Sequence, residues 1–194
     1  MRLILASSSP YRKEMLQRLG LPFECISPNI DETPRPGEAP DQLALRLSKA
    51  KAAAVAEQNQ DALVIGSDQV ATLDGTPIGK PGSFERAKAQ LQKLSGATVE
   101  FHSALCVAHE QKIEIADIVT FCTFRTLSDA EIEAYLHRET PYDTAGSAKA
   151  EGLGIALMDS MRSDDPTAII GLPLIALSRM LRSFGINPLT YPSP

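Results

Sequence analysis

Tryptophan is absent from the chain, and cysteine and histidine occur only three times each. Cys25, Cys106 and Cys122 form no C-x-x-C pair. Such an odd, scattered set argues against a disulfide framework or a cysteine zinc site, and suits a reducing compartment. His102, His109 and His137 are too dispersed for a local metal cluster. The simplest roles are structural: small core residues for the cysteines, sheet residues for His102 and His109. No run approaches the roughly 18 apolar residues of a bilayer span, and no basic stretch with an apolar core opens the chain. Neither a transmembrane segment nor a secretory signal is expected. Positive charge is in deficit as well, since 19 basic against 24 acidic residues leave a formal net charge of −5. A nucleic-acid polymer needs a basic face, so that class of partner is excluded. What is present is 194 residues, 43% apolar and 22% charged, enough for one medium domain with its own core. A soluble, acidic, cytoplasmic globular protein is expected.

Hydrophobic patterning predicts alternating strands and helices. Arg2 to Ala6 is a short apolar strand, and Ser7-Ser8-Ser9-Pro10 then signals a capped helix start. That helix ends near Gly20, and Phe23 to Ser27 reads as a second strand. Residues 31–37 hold too many breakers for regular structure, whereas Asp41 to Gln58 is helical and alanine-rich. Ala62 to Gly66 is a fully apolar strand, with Asp68 just beyond its end. Asp74-Gly75 marks a tight turn before Pro77-Ile78, and Ser83 caps a helix through about Leu94. Thr98 to Ala108 and Lys112 to Arg125 predict a long antiparallel hairpin. Ser128 to Glu131 is a capping box opening a helix to about Arg138, and a final helix starts at Pro173. The pattern fits an α/β domain on a mixed twisted sheet with flanking helices. It covers residues 1–186 without an internal repeat or linker, leaving residues 187–194, with three prolines, as a loose tail.

Four features suggest chemistry, each beside a plainer explanation. A helix N-terminus at Ser7 to Ser9, with Arg12 one turn in, can bind an anion, although capped helices beside surface arginines are common. Lys51 continues the line of Leu43 and Leu47, so its amine either snorkels outward, the commoner outcome, or faces a pocket anion. Asp68, beyond an apolar strand, can hold a metal or accept a proton, or can simply occupy a turn. Asp31-Glu32 and Gly79-Lys80-Pro81 would add a carboxylate and a cation to a polyphosphate site, although loop charges are usually only solvated.

Leu5 to Arg12, Asp31-Glu32, Lys51-Ala52, Gly66 to Val70, Gly79-Lys80-Pro81, Ala145-Gly146-Ser147 and Gly171-Leu172-Pro173 occur in this order. Together they resemble the Maf-like nucleotide pyrophosphatases over roughly residues 2–185, in particular the subfamily acting on 7-methyl-GTP. The resemblance implies the Maf/Ham1 (ITPase-like) architecture and a homodimer. It implies hydrolysis of a nucleoside triphosphate to monophosphate and diphosphate with a divalent cation, Mg²⁺ by default and Mn²⁺ or Co²⁺ as substitutes, in a house-cleaning role. Asp68 is then the proton acceptor, Glu32 and Asp68 the metal ligands, and Lys51 and Lys80 catalytic cations. Ser7, Ser9 and Arg12 are then phosphate ligands. Three positions separate substrate classes: pyrimidine-specific relatives usually carry Arg at Tyr11, Thr at Gln69 and Gln at Glu151. This chain differs at all three. An aromatic face at Tyr11 attracts a cationic N7-methylguanine, and a carboxylate at Glu151 accepts from its N1–H and N2–H. Relatives in the 7-methyl-GTP subfamily often have Trp where Tyr11 stands. Alternatives are a Maf-like pyrophosphatase for dTTP, UTP or another modified nucleotide, and a nucleotide-binding regulator of septum formation.

Overall fold

The computed structural model describes residues 1–192. Seven strands form one mixed sheet: β1 (Arg2–Ala6), β2 (Glu24–Cys25), β3 (Ala62–Leu73), β4 (Thr76–Ile78), β5 (Thr98–His109), β6 (Lys112–Phe124) and β7 (Met158–Ser163). Among the described residues five α-helices accompany it: α1 (Pro10–Gln17), α2 (Pro40–Ala56), α3 (Phe84–Leu94), α4 (Asp129–Glu139) and α5 (Leu174–Ser183). The sheet order is β2-β1-β3-β5-β6-β7, with β4 paired to β3. β1 is parallel to β2 and β3, and the remaining pairings are antiparallel. The expected mixed α/β sheet with flanking helices is present.

Local chemistry explains the helix starts. Ser9, Ser83 and Ser128 each accept a bond from the backbone N–H three residues on, satisfying a donor the helix leaves unpaired. Glu131 completes the capping box at α4. At α5 the cap comes from a distance, since the buried Asp165 carboxylate accepts from the N–H groups of Ile175 (2.6 Å) and Ala176 (3.2 Å).

Alternation along the strands divides the core. Leu3, Leu5, Leu63, Ile65, Leu105 and Val107 face α1 and α5, while Ile4, Ala6, Val64, Cys106 and Ala108 pack with α2. Covering on both faces is why β1 and the start of β3 read as unbroken apolar runs. A third cluster joins α3 and α4 to Ala71, Val99, Phe101, Cys122 and Phe124. Gly66 is the tightest junction: a Cβ there would lie 2.7 Å from the Ala52 nitrogen and closer still to the Ser48 carbonyl. This absence of a side chain brings α2 onto β3.

Several expectations are corrected. β3 does not stop at Gly66 but runs to Leu73, so Asp68 lies inside the strand, opposite Ala104 of β5. β2 is two residues long, and Cys25 is exposed rather than a core residue. β7, an edge strand of mostly polar residues, adds to the expected elements. In the tail, Thr190 N–H bonds Asn187 O and Tyr191 packs against the core, while residues 193–194 lie outside the described residues. No helix among the described residues is long and apolar enough to cross a membrane.

His102 and Asp117 form a paired charge on β5 and β6, with Nδ1 2.6 Å from Oδ2 and Glu100 3.7 Å from Nε2. The Asp117 hydrogen bond, aided by the charges of Asp117, Asp41 and Glu100, raises the His102 pKa above 6.5 despite partial burial. Stabilisation from this pair is therefore complete below the unfolded-state value and is lost as pH rises through the folded one. Urea midpoints should fall across that window in the wild type, and fall less in Asp117→Asn. Parallel profiles for the two proteins would remove the pair as the cause.

Candidate active site

The ladder between β1 and β3 ends at the Ala6–Gly66 pair, while β3 continues for seven more residues. Where β1 stops, the chain turns through Ser7 to Ser9 into α1. A cleft of about 440 Å³ opens there. Ser7, Ser9, Tyr11, Arg12, Glu32, Lys51, Asp68, Gln69, Lys80 and Glu151 all line it. These ten positions are separated by up to 144 residues, and the fold brings them to one cavity.

Lys51 is buried and does not snorkel. Its ammonium donates to Asp68 Oδ1 at 2.6 Å and lies 2.9 Å from Glu32 Oε1, bridging a buried carboxylate and an exposed one. The close contact at Gly66 makes this possible by setting α2 against the strand that bears Asp68. Burial raises the Asp68 pKa, opposed by Lys51 and Arg12 and reinforced by Glu32. A carboxylate whose basicity is raised by desolvation suits proton acceptance better than a solvated one.

Arg12 and Tyr11 are neighbours in the first turn of α1 and make separate contacts. Arg12 Nε donates to Gly171 O at 2.9 Å, and burial lowers its pKa, with Asp68 and Glu32 opposing. Gly171 adopts φ +112°, and its carbonyl also receives the Ser67 hydroxyl at 3.0 Å. The Tyr11 hydroxyl donates to Asp143 Oδ2 at 3.3 Å, and the Lys149 ammonium stands 3.7 Å from the other oxygen of Asp143. Ser7 Oγ accepts from Ser9 N–H at 3.1 Å, holding the serine turn closed. Lys80 and Glu151 are exposed at the cleft.

Gln69 is more committed than its sequence position suggested. Its amide nitrogen lies 3.0 Å from each of Ser103 Oγ, Ala168 O and Ile169 O. Those oxygens fix the amide orientation, so Gln69 ties down the wall at 168–170 and its NH₂ group is not turned toward a ligand. Phe101, Asp143, Thr144 and Ile169 to Gly171 also line the cleft. Of these only Gly171 lay in a recognised motif; Asp143 and Phe101 carried no sequence signal.

The Maf-like protein family model matches residues 2–184. The chain belongs to the Maf-like family. Among curated Maf-like relatives, 7-methyl-GTP pyrophosphatase of Bordetella avium (strain 197N) is 70% identical over 192 residues, covering 99% of this chain and 98% of that protein. The protein of the same name from Bordetella pertussis (strain Tohama I) is 71% identical, covering 97% and 95%. The one from Burkholderia thailandensis is 62% identical, covering 95% and 88%. A solved structure of the Staphylococcus aureus Ham1 protein aligns with this Maf-like chain at 15% identity and TM-score 0.47, over 65% of this chain and 73% of that one.

The donor set of the Maf-like cleft fits a hard divalent cation. Glu32 and Asp68 both reach the Lys51 ammonium, so they already share one cation between them. Among the described residues no group of three or more His, Cys, Asp or Glu could hold a metal. Two carboxylates completed by phosphate oxygens and water is the usual way Mg²⁺ is bound at a polyphosphate site.

Proposed function

We propose that this Maf-like protein hydrolyses 7-methyl-GTP to 7-methyl-GMP and diphosphate. The observation that carries the reading is the shared cleft: three cations and two carboxylates suited to a triphosphate, together with Tyr11 and Glu151. The near-full-length relatives named 7-methyl-GTP pyrophosphatase support the choice of base.

In this reading Asp68 takes a proton from water as the water oxygen adds to the α-phosphorus. The bond from that phosphorus to the bridging oxygen breaks, and diphosphate leaves with the bridging oxygen. Lys51 keeps Asp68 oriented, and Arg12, Lys80 and the Ser7–Ser9 turn hold the phosphates and offset the charge growing on the leaving group. Glu32 and Asp68 would hold the divalent cation, Mg²⁺ by default with Mn²⁺ or Co²⁺ as substitutes, which supplies charge neutralisation at phosphate oxygens. Tyr11 presents its ring to the cationic base, and Glu151 accepts from the guanine edge. A cytoplasmic setting and a homodimer accompany this reading; light scattering on the purified protein checks the dimer.

Diphosphate release from 7-methyl-GTP, GTP, UTP and dTTP at matched concentrations, with and without Mg²⁺, tests the substrate. Glu151→Gln should lower kcat/KM on 7-methyl-GTP by about tenfold, equivalent to ~1.4 kcal/mol. The same variant should change the UTP rate by less than about threefold, because uracil lacks the paired donor edge. Equal losses on both would remove Glu151 from base recognition.

A further inference from the structure

Two cleft-lining segments far apart in sequence are joined behind the cavity by one side chain. Gln90, midway along α3, is not a lining residue. Its Nε2 donates to Gly79 O at 3.0 Å, directly before Lys80. Its Oε1 accepts from Ser147 Oγ at 2.5 Å, within the loop that runs from Asp143 to Glu151. A single planar amide thus spends both ends on two different loops. Ser147 is fully buried at φ +55°, a backbone region that residues other than glycine seldom adopt. Its buried hydroxyl finds its hydrogen-bond partner in Gln90. Gly82 N–H donates to Tyr142 O at 3.0 Å, a second bond between the same two segments.

We propose that Gln90 is a positioning residue that couples the Lys80 loop to the loop bearing Glu151, so that the phosphate and base ends of a nucleotide are gripped together. The inference rests on the nucleotide reading above and adds a cooperative link between its two halves. A ligand group that settles Lys80 holds Gly79, Gln90 and Ser147, and so spares the second group part of the ordering of its own loop. Neither Gln nor Ser touches the reacting atoms; the effect passes through Lys80 and Glu151.

Inorganic diphosphate and 7-methylguanosine, used as paired inhibitors of 7-methyl-GTP hydrolysis, read the link directly. In the wild type each should strengthen inhibition by the other by about tenfold. In Gln90→Met, which keeps length and helix propensity, that factor should fall to about two or less, with kcat/KM down about tenfold. Its melting temperature should stay within a few degrees of wild type, because a purely structural brace would move stability and not the interaction factor. Should Gln90→Met fail to fold, Gln90→Glu decides: its carboxylate still accepts from Ser147 but repels Gly79 O, so the factor should fall again. Independent inhibition in the wild type, or an unchanged factor in the folded variants, overturns the coupling. If another triphosphate proves to be the best substrate, its own nucleoside replaces 7-methylguanosine, so an error in the base and an error in the coupling are read separately. A wild type that hydrolyses no triphosphate overturns both.

Discussion

Asp68→Asn is expected to lower kcat on 7-methyl-GTP by about a thousandfold and to leave KM within a few-fold. The amide is nearly isosteric, and its oxygen still accepts from Lys51, whose ammonium also keeps Glu32 at 2.9 Å. What disappears is the ability to take the proton of the attacking water. The cost to stability is the loss of the charged partner of the buried Lys51 ammonium, softened because the amide oxygen still accepts its hydrogen bond. Diphosphate release under saturating substrate, beside a thermal melt, measures both quantities. A variant that melts normally and retains kcat within a few-fold removes Asp68 from proton transfer.

The largest expected effect on stability comes from a single methyl group. Gly66→Ala places a Cβ against the backbone of α2, 2.7 Å from Ala52 N and nearer to Ser48 O. Backbone atoms cannot rotate away as a side chain can, so the helix must retreat from the sheet. Overpacking of this kind costs ~3 kcal/mol or more. For a chain of this size each kcal/mol lowers Tm by about 2–4 °C, so a drop of about 10 °C is expected. Lys51 travels with the helix, and the 2.6 Å bond to Asp68 opens with it. Activity should therefore fall even in the fraction that remains folded. Calorimetry decides: a Tm within 2 °C of wild type would mean that α2 and β3 have room the contact does not suggest.

Much of the architecture was legible because it depends on local chemistry. Serine caps at Ser9, Ser83 and Ser128 announce their helices through backbone donors a few residues away, and the β5–β6 hairpin follows from two patterned runs and a short polar turn. Ser67, Asp68 and Gln69 interrupt the apolar run of β3, so patterning ends the strand at Gly66. The strand continues there through its ladder with β5, with Ser67 bonded to Ala104 O and Asp68 to Lys51. β7 is hard to see for the converse reason, since an edge strand that buries little shows weak patterning. Lys51 is undecidable from its helix alone, because its partners Asp68 and Glu32 lie on another strand and a loop. The ten candidate positions are nameable through the family resemblance, but no spacing rule says that Tyr11 and Glu151 line one cleft. Gln90 and Asp143 left no trace in the sequence, as their roles exist only once distant loops are adjacent.

The early end of β1 beside a longer β3 has a consequence for the whole molecule. The resulting gap is walled by segments running from Ser7 to Gly171, nearly the entire length of the chain. A nucleotide seated there would act as a non-covalent cross-link between parts of the polypeptide that lie far apart in sequence. Its binding free energy is thus added to the global unfolding equilibrium as well as to the ordering of the loops that line the cleft.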